Sequence, residues 1–412
     1  MRKRLRLLAS CAGLCVAITV LHAQTDSLAT DTTTSDTTLQ RLNMDAVYAR
    51  PLNTMGTSAV ALGGYAEAHA AYMGTNGVNE GLSFVIPRLT LFVSADINDR
   101  IRFLTEIELE EGGREINIEF AAVDFTLHPL FTLRGGVVLN PIGAFNQNHD
   151  GPRWDFIERP LVATTIVPST WSNVGFGAYG KTSNGTWTWG YEAYLTNGFD
   201  QRIIDNGLGR TWLPATKESS ERFEESFNGV PLTTLKTALR HKTFGELGIS
   251  WMGGVYNLFQ EDGLEFDRRR RVDLYAIDYN NEIRRWGTTI VGEWVWAGID
   301  VPDEHSPQYG ELQRGGFIDV VQPVLRRRML GWDNARLELA ARADHTDYNV
   351  GNFESTGTNI GDEVTAITGA IAFRPVSGTV VRANYRYAWE RDVFDNPASR
   401  SAAILIGVST YF

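Results

Sequence analysis

The 412-residue sequence has 38 Lys and Arg residues against 49 Asp and Glu residues, a formal net charge of −11 at pH 7. A chain this acidic is a poor candidate for nucleic-acid binding. Its 40 glycines and 11% aromatic residues suit a protein built from β-strands, either a membrane barrel or a secreted soluble β-protein.

The N-terminus has the order of residues that is typical of a secretory signal peptide. Four of residues 2–6 are basic, residues 7–21 form a short apolar stretch, and Ala23 is a small residue at the expected cut. This pattern predicts a signal peptide over residues 1–23 and export of the chain. Removal of the four basic residues changes the formal net charge from −11 to −15.

Both cysteines, Cys11 and Cys15, lie in the predicted signal peptide. The mature chain is therefore predicted to have no disulfide and no thiolate metal site. Residues 8–11 look like a lipoprotein box, but they follow the basic start too closely to leave an apolar segment before them. Lipid modification of Cys11 is not expected.

Residues 24–60 are polar and rich in Thr, Ser and Asp. Such a segment has too little apolar surface to offset the entropy lost on ordering, which predicts a flexible periplasmic N-terminal segment. A short helix is predicted near residues 44–52.

From residue 61 onward, apolar and polar residues alternate with period two, as in strands whose two faces meet different surroundings. Sixteen such strands are predicted, an even number, as in bacterial single-chain barrels. The sequence therefore predicts an all-β fold for residues 61–412, a closed antiparallel transmembrane β-barrel of about 16 strands. The predicted strands are 64–73, 88–95, 101–110, 115–122, 131–139, 174–180, 186–196, 235–241, 246–257, 271–279, 284–299, 311–322, 334–345, 363–374, 379–391 and 401–412.

The lengths of the connections support a barrel in the bacterial outer membrane. Most connections after even-numbered strands are tight, whereas those after odd-numbered strands are mostly long, notably 140–173 and 198–234. Outer-membrane barrels have short periplasmic turns and long external loops. The connection after strand 12, residues 323–333, is longer than this rule predicts.

The two faces of the strands are predicted to meet lipid and water. Large aromatic residues share one face of several strands, as in Tyr385, Tyr387 and Trp389, and suit the girdle at a membrane boundary. The opposite face carries too many charges to be buried dry, so we expect a water-filled lumen. The predicted pore-wall residues are Arg102, Glu106, Glu108, Glu119, Arg134, Arg240, Arg336, Glu338, Arg342, Arg382 and Arg386.

The last strand, residues 401–412, alternates in the same way and ends on Tyr411 and Phe412. A terminal Phe after alternating apolar residues resembles the signal that the outer-membrane assembly machinery recognises in its clients. Tyr411 and Phe412 are therefore the predicted assembly signal. This machinery is the predicted partner during insertion.

The long loop after the fifth strand carries a resemblance to a known family. Residues 140–143, Asn-Pro-Ile-Gly, and 154–160, Trp-Asp-Phe-Ile-Glu-Arg-Pro, resemble the phosphate-selective porin O/P family. The resemblance covers most of the mature chain as a strand pattern, but only this loop as a motif.

The resemblance implies an outer-membrane porin, a homotrimer, whose third long loop folds inward and narrows the channel. The implied constriction residues are Asp150, Arg153, Asp155, Glu158 and Arg159, with wall charges and a narrow waist as the means of selectivity. The alternative for Glu158 and Arg159 is an ion pair, with each other or with the wall, that holds the loop down.

One departure from that family concerns its solute. Its phosphate-selective members have lysine-rich funnels, whereas the mature chain has only Lys181, Lys217, Lys236 and Lys242. Arginine also binds phosphate well, so the sequence allows an anion preference but does not support phosphate specificity.

The predicted function is passive diffusion of small polar or charged solutes, with no catalysis and no cofactor. The predicted surroundings are outer-membrane lipid and lipopolysaccharide, the latter at a basic loop, residues 268–271, for which a solvated loop is the alternative. No metal site is expected at residues 344–347, because alternation directs their side chains to both faces. Three other classes stay open: a scaffold or plugged subunit of a surface complex, an outer-membrane hydrolase, and a soluble secreted β-domain.

Overall fold

A computed structural model describes residues 41–54, 59–110, 112–305 and 307–412. The predicted signal peptide and the first part of the predicted flexible segment lie outside these residues. No helix among the described residues is long and apolar enough to cross a membrane.

Sixteen antiparallel strands form a closed barrel, which confirms the predicted fold. The second strand is interrupted at Pro87 and consists of β2a and β2b. The strands are β1 Val60–Thr75, β2a Val78–Val85, β2b Arg88–Asn98, β3 Ile101–Glu110, β4 Glu115–His128, β5 Phe131–Leu139, β6 Ser172–Asn184, β7 Trp187–Thr196, β8 Leu232–His241, β9 Gly245–Val255, β10 Arg271–Ile283, β11 Thr288–Ile299, β12 Leu312–Arg326, β13 Arg336–Asp347, β14 Glu363–Arg374, β15 Thr379–Arg391 and β16 Ser399–Tyr411.

The barrel closes between its first and last strands. β16 pairs with β1 from Tyr65↔Tyr411 to Thr75↔Ser401, so every strand in the wall has two neighbours. Closure satisfies the backbone hydrogen bonds that a sheet edge would expose to hydrocarbon. The order of strands follows the chain throughout.

The outer face of the wall is apolar. Leu235, Leu239 and Ile249 are exposed, and they alternate with buried inward residues along β8 and β9. Tyr385, at 53% exposure, lies on the same face, as the predicted aromatic girdle requires. An apolar outer surface of this extent suits lipid, and the fold does not support the soluble β-domain.

Most connections at one end of the barrel are short turns, and most at the other end are long loops. Exceptions are residues 327–335 at the first end and residues 76–77 at the second. We call the first end periplasmic and the second external, following the usual orientation of such barrels. Between the predicted strands 271–279 and 284–299, the sequence predicts a turn at residues 280–281. This position is wrong, because β10 continues to Ile283 and the turn uses residues 284–287. Gly287 has φ +67°, which makes it the residue suited to end that turn.

The remaining elements are short and lie mostly inside the barrel or at its external end. One is an α-helical turn, Val162–Thr165, and five are 3₁₀ helices: Asn43–Tyr48, Gly151–Arg153, Gln201–Ile203, Leu213–Glu218 and Ser220–Phe223. Three two-residue strands, Asn53–Thr54, Gln260–Glu261 and Leu264–Glu265, complete the secondary structure of the described residues.

Candidate functional site: the lumen

The loop between β5 and β6, residues 140–171, lies across the lumen; we call it L3. It leaves the wall at Gly143, which has φ +67°. A side chain at this position would collide with the Glu293 carboxylate on β11, so glycine is required for both conformation and space. The Pro–apolar–Gly step in the sequence therefore turns the chain into the barrel.

On the β7–β11 side, wall carboxylates and a lysine hold the start of L3. Glu293 accepts hydrogen bonds from the backbone N–H groups of Ala144 and Phe145, at 2.6 and 3.1 Å. Lys236 Nζ donates to the Gly143 carbonyl at 2.6 Å. These contacts satisfy backbone groups that have left the sheet and are buried in the lumen.

On the opposite side, three wall arginines hold the middle of L3 through its carbonyl oxygens. Arg382 on β15 donates to the carbonyls of Gly151, Trp154 and Phe156 at 3.2, 2.9 and 2.6 Å. Arg374 donates to the Pro152 carbonyl and to the Asp155 carboxylate, and Arg342 donates to the Glu158 carbonyl. Guanidinium groups suit this task because each presents five donors in a fixed plane.

A buried ion-pair cluster joins L3 to the segment that precedes the barrel. Arg50 donates to Asp150 at 2.7 Å and to Glu106 on β3 at 2.8 Å, and all three side chains are at most 1% exposed. His149 Nε2 lies 3.1 Å from Glu106 Oε1. Tyr411 on β16 donates to Asp150 at 2.7 Å.

The charge on Asp150 is set by its neighbours. Burial by itself raises the pKa of Asp150, but the Arg50 guanidinium, followed by that of Arg153, outweighs burial and holds the pKa below its ordinary range. Burial likewise lowers the pKa of Arg50, and the two carboxylates more than reverse this. Asp150 and Arg50 are therefore a charged pair at neutral pH.

Residues 41–52, which we call the strap, lie inside the periplasmic half of the barrel. The sequence predicted this stretch as part of a flexible segment, 24–60. Its apolar residues Leu42, Met44 and Val47 are buried instead. They pack on the inner face of β3–β7, where the wall offers apolar or small residues.

The external half of the lumen contains an apolar core on the β8–β12 side. Val162, Ile166 and Trp171 of L3 pack there with residues of the loop between β7 and β8. Inward residues of β10, such as Val272 and Leu274, complete this core. The alternation of residues suggests a uniformly charged lumen, but this part of the lumen is apolar.

Two cavities lie on opposite faces of L3. The external one has a volume of about 360 Å³ and is lined by β1, β2b and β13–β16. The periplasmic one, of about 680 Å³, is lined by β10–β14 and the turns at their ends. Phe156 of L3 lines both, and its ring lies 4.3 Å beneath the Arg342 guanidinium.

The predicted constriction residues fall into three groups. Glu158 and Arg159 line the external cavity, whereas Arg153 and Asp155 line the periplasmic cavity. Asp150 is 0% exposed and belongs to the buried ion-pair cluster. Glu158 pairs with Arg386 of the wall at 3.4 Å, and Arg159 lies 4.0 Å from Glu108.

The eleven predicted pore-wall residues all lie on inward-facing positions of the barrel, but most of them contact protein rather than open water. The buried ones are Glu106, Glu108, Glu119, Arg134, Glu338, Arg342 and Arg382, the half-buried ones are Arg240, Arg336 and Arg386, and Arg102 is exposed. Their ionic partners lie in L3, in the strap or on neighbouring strands, as the pairs Arg88–Glu108 and Arg374–Glu338 illustrate.

The two residues of the predicted assembly signal, Tyr411 and Phe412, lie on opposite faces of the barrel wall. The Tyr411 side chain points inward to L3, where it contacts Asp150 and Arg153. The Phe412 backbone N–H donates to the Gly64 carbonyl of β1 at 3.0 Å. A role for these residues in assembly stays a prediction.

Two clusters of metal-ligand residue types occur among the described residues. Glu106, His149 and Asp150 surround the Arg50 guanidinium, which already supplies the positive charge. In the second cluster, at the external rim, Asp347 pairs with Arg314 and Glu363 with Arg391, both at 3.3 Å. Neither cluster supports a metal site.

Sequence reasoning missed three functional features: the strap, the Arg50 cluster and the apolar core. The signal for the core was present, because the inward positions in the first half of β10 are apolar: Val272, Leu274 and Ala276. The strap offered a weaker signal, three apolar residues and Arg50 after a long polar run.

No protein-family model matches the sequence. A relative from Aquifex aeolicus, described as an uncharacterized protein, is 37% identical over 147 residues, which are 34% of this chain and 32% of that protein. The match thus spans about a third of the length of the relative.

Solved outer-membrane porins and channels share the fold. The anion-selective porin of Comamonas acidovorans matches with a TM-score of 0.51 at 12% identity, over 86% of this chain and 99% of that chain. OprB of Pseudomonas putida gives 0.52 at 8% identity, over 86% and 94%. The channel DcaP of Acinetobacter baumannii gives 0.50 at 11% identity, over 86% and 97%. At these identities the likeness establishes a porin-like barrel fold.

Proposed function

We propose that this protein is an outer-membrane porin that lets small polar or charged solutes diffuse passively. The observation that carries the proposal is the pair of charged cavities on opposite faces of L3, inside a barrel whose outer face is apolar. A lipid-facing wall around wet, charged cavities suits transport across a membrane. No step in this mechanism needs a catalytic residue or a cofactor.

From the way in which the lumen is filled, we infer a diagonal route between the two cavities. The strap occupies the periplasmic half beside β3–β9, and the apolar core occupies the external half beside β8–β12. A solute then passes from the external cavity to the periplasmic one beside β12–β14. Phe156 lies at this meeting point, so we propose it as the barrier of the channel.

Planar-bilayer recording of the purified protein tests this function. Stepwise single-channel currents in potassium chloride are the expected result. Hydrolase assays on the same preparation address the enzyme alternative. A preparation that inserts but gives no current steps would contradict the porin proposal.

We further propose a preference for anions. The periplasmic cavity is lined by six arginines and four carboxylates. Arg326, Arg336 and Arg374 occupy laterally paired positions on β12–β14, which places like charges side by side. Such a row attracts anions, because the positive charges are only partly balanced by Glu338 and Asp155. The named likeness to an anion-selective porin agrees with this proposal, as does the resemblance of L3 to the phosphate-selective family.

A second candidate is a scaffold or plugged subunit of a surface complex. The extent to which L3 and the strap fill the lumen favours it. A stoichiometric partner in affinity purification, together with an absence of current, would support this candidate over the porin.

The wider setting is also a proposal. We propose that a cleaved signal peptide directs the chain to the outer membrane, that Tyr411 and Phe412 serve assembly, and that the barrel works as a homotrimer. Arg268, in the basic loop, is an external residue suited to lipopolysaccharide phosphates, although it already pairs with Asp300 at 2.8 Å. Cross-linking in isolated outer membranes tests the oligomeric state.

A further inference from the structure

The strap has a seat in the barrel that fits its side chains. Gly190 on β7 faces inward beneath it, and a Cβ there would lie 2.5 Å from Leu42 Cδ1 and 2.9 Å from Met44 Sδ. Gly63 on β1 similarly leaves room for the backbone at Pro51. Glycine at two inward positions beneath one segment indicates a wall shaped around that segment.

The polar contacts of the strap continue along the same arc of the wall. The Asn43 N–H donates to both carboxylate oxygens of Glu246 on β9, each at 3.0 Å. Asp45 pairs with Lys181 on β6 at 2.6 Å. Tyr48 donates to Asp124 on β4. The strap therefore follows the wall from β9 towards β1.

The strap also contacts L3 at three points. Asn43 Nδ2 donates to the Ala144 carbonyl at 2.9 Å, and Arg153 donates to the Ala46 carbonyl at 2.7 Å. The third contact is the Arg50–Asp150 pair. L3 is thus supported from the periplasmic side by the strap as well as by the wall.

We propose that residues 41–52, the strap, close the β1–β9 side of the periplasmic mouth. In this view the segment before the barrel, together with L3, sets the size of the opening. The proposal rests on the proposed porin function. The fit of the strap between wall glycines, its buried apolar residues and the Arg50 latch all support a closing element, because a merely tethered segment needs none of them.

Two readouts on protein refolded from residue 24 onward test the strap. The first is labelling of Ala122→Cys by a water-soluble thiol reagent. Ala122 is 3% exposed and packs in the cluster that contains Val47. This thiol is expected to be unreactive with the strap present and reactive after deletion of residues 41–52. Equal labelling of the two proteins would overturn the seat.

The second readout is single-channel conductance. Deletion of residues 41–52 is expected to raise conductance about twofold or more, since it opens a second path on the β1–β9 side, parallel to the one at Phe156. Gly190→Leu, which crowds Leu42 and Met44, is expected to expose the Ala122→Cys thiol without any deletion. Gly369→Leu is the matched control, because Gly369 is exposed on the outer face and a Cβ there meets nothing within 4 Å.

The outcomes separate the two proposals. Increased labelling with unchanged conductance would overturn the strap as a closing element. No current from any variant would contradict the porin function, and labelling of Ala122→Cys would still decide whether the strap covers the wall.

Discussion

At the scale of single residues, the ring of Phe156 separates the two cavities. Replacement by alanine removes most of that ring and is expected to join the cavities, because L3 stays anchored through backbone carbonyls that the substitution does not touch. Single-channel conductance of Phe156→Ala should rise about twofold or more. Phe156→Tyr keeps the ring and serves as the control. An unchanged conductance in Phe156→Ala would place the barrier elsewhere.

Asp150 is one of the residues of L3 that contact the strap, through its ion pair with Arg50. Asp150→Asn leaves the Arg50 guanidinium buried with one carboxylate fewer, a change that typically costs about 3–5 kcal/mol. The expected result is faster local opening of the strap. Hydrogen exchange of residues 41–54 should accelerate by about 100-fold or more, since 1.4 kcal/mol is a factor of ten.

The same residue predicts a pH dependence. Because the folded pKa of Asp150 lies below its unfolded value, its stabilisation is complete above the unfolded pKa and is lost as the pH falls towards the folded pKa. The difference in strap protection between wild type and Asp150→Asn should thus stay constant from pH 8 to about pH 5 and shrink below about pH 4. Using the difference removes titrations that are common to both proteins. A difference that disappears near pH 6 would contradict the charged pair.

At the scale of elements, the strands were predictable, but the strap inside the barrel was not. Period-two alternation locates strands because each wall residue faces either lipid or lumen, whatever its partners are. The strap has no such local requirement. Its position depends on Gly190 and Glu246, which lie about 150 and 200 residues away in the chain. Those contacts leave no periodic signal around residues 41–52.

The candidate site was predictable in composition but not in arrangement. The motif around residues 154–160 correctly suggested a loop inside the barrel, yet its phenylalanine rather than its charged residues lines both cavities. The reason is electrostatic. Charges such as Asp155 are drawn into ion pairs with wall arginines, here Arg374 at 2.8 Å, so they are less available to a passing solute.

L3 is the element whose rigidity depends on the wall arginines. Arg382→Ala removes the donor to three buried carbonyls and should loosen the middle of L3, since an unsatisfied buried group costs about 1–3 kcal/mol. Faster hydrogen exchange over residues 150–158 is the expected measurement. Arg386→Ala, which loses a single 3.4 Å contact with a partly exposed Glu158, is the control and should change exchange much less.

At the scale of the whole molecule, two fillings on opposite sides make the proposed channel oblique. The apolar core closes the external half beside β8–β12, and the strap closes the periplasmic half beside β3–β9. A straight path along the barrel axis is therefore obstructed on both sides. Both fillings contact L3, which also carries Phe156, so the two are coupled through that loop.

The chain as a whole is negatively charged, whereas the residues that line its periplasmic cavity carry a net positive charge. The chain has a net charge of −11, whereas the periplasmic cavity has six arginines against four carboxylates. Local charges govern selectivity, because charges farther away than about 8–10 Å are screened by physiological salt. In a tenfold gradient of potassium chloride, the reversal potential of the wild type should therefore be shifted from zero towards the equilibrium potential of chloride.

The double variant Arg326→Gln and Arg336→Gln should move the reversal potential back towards zero. Both arginines line the cavity, and their lateral pairing is unfavourable, so the barrel should fold without them. Arg327→Gln with Arg328→Gln makes the same change in net charge in the adjacent turn, at residues outside the cavity lining, and should leave the potential nearly unaltered. Equal shifts in the two double variants would assign the preference to overall charge rather than to the cavity.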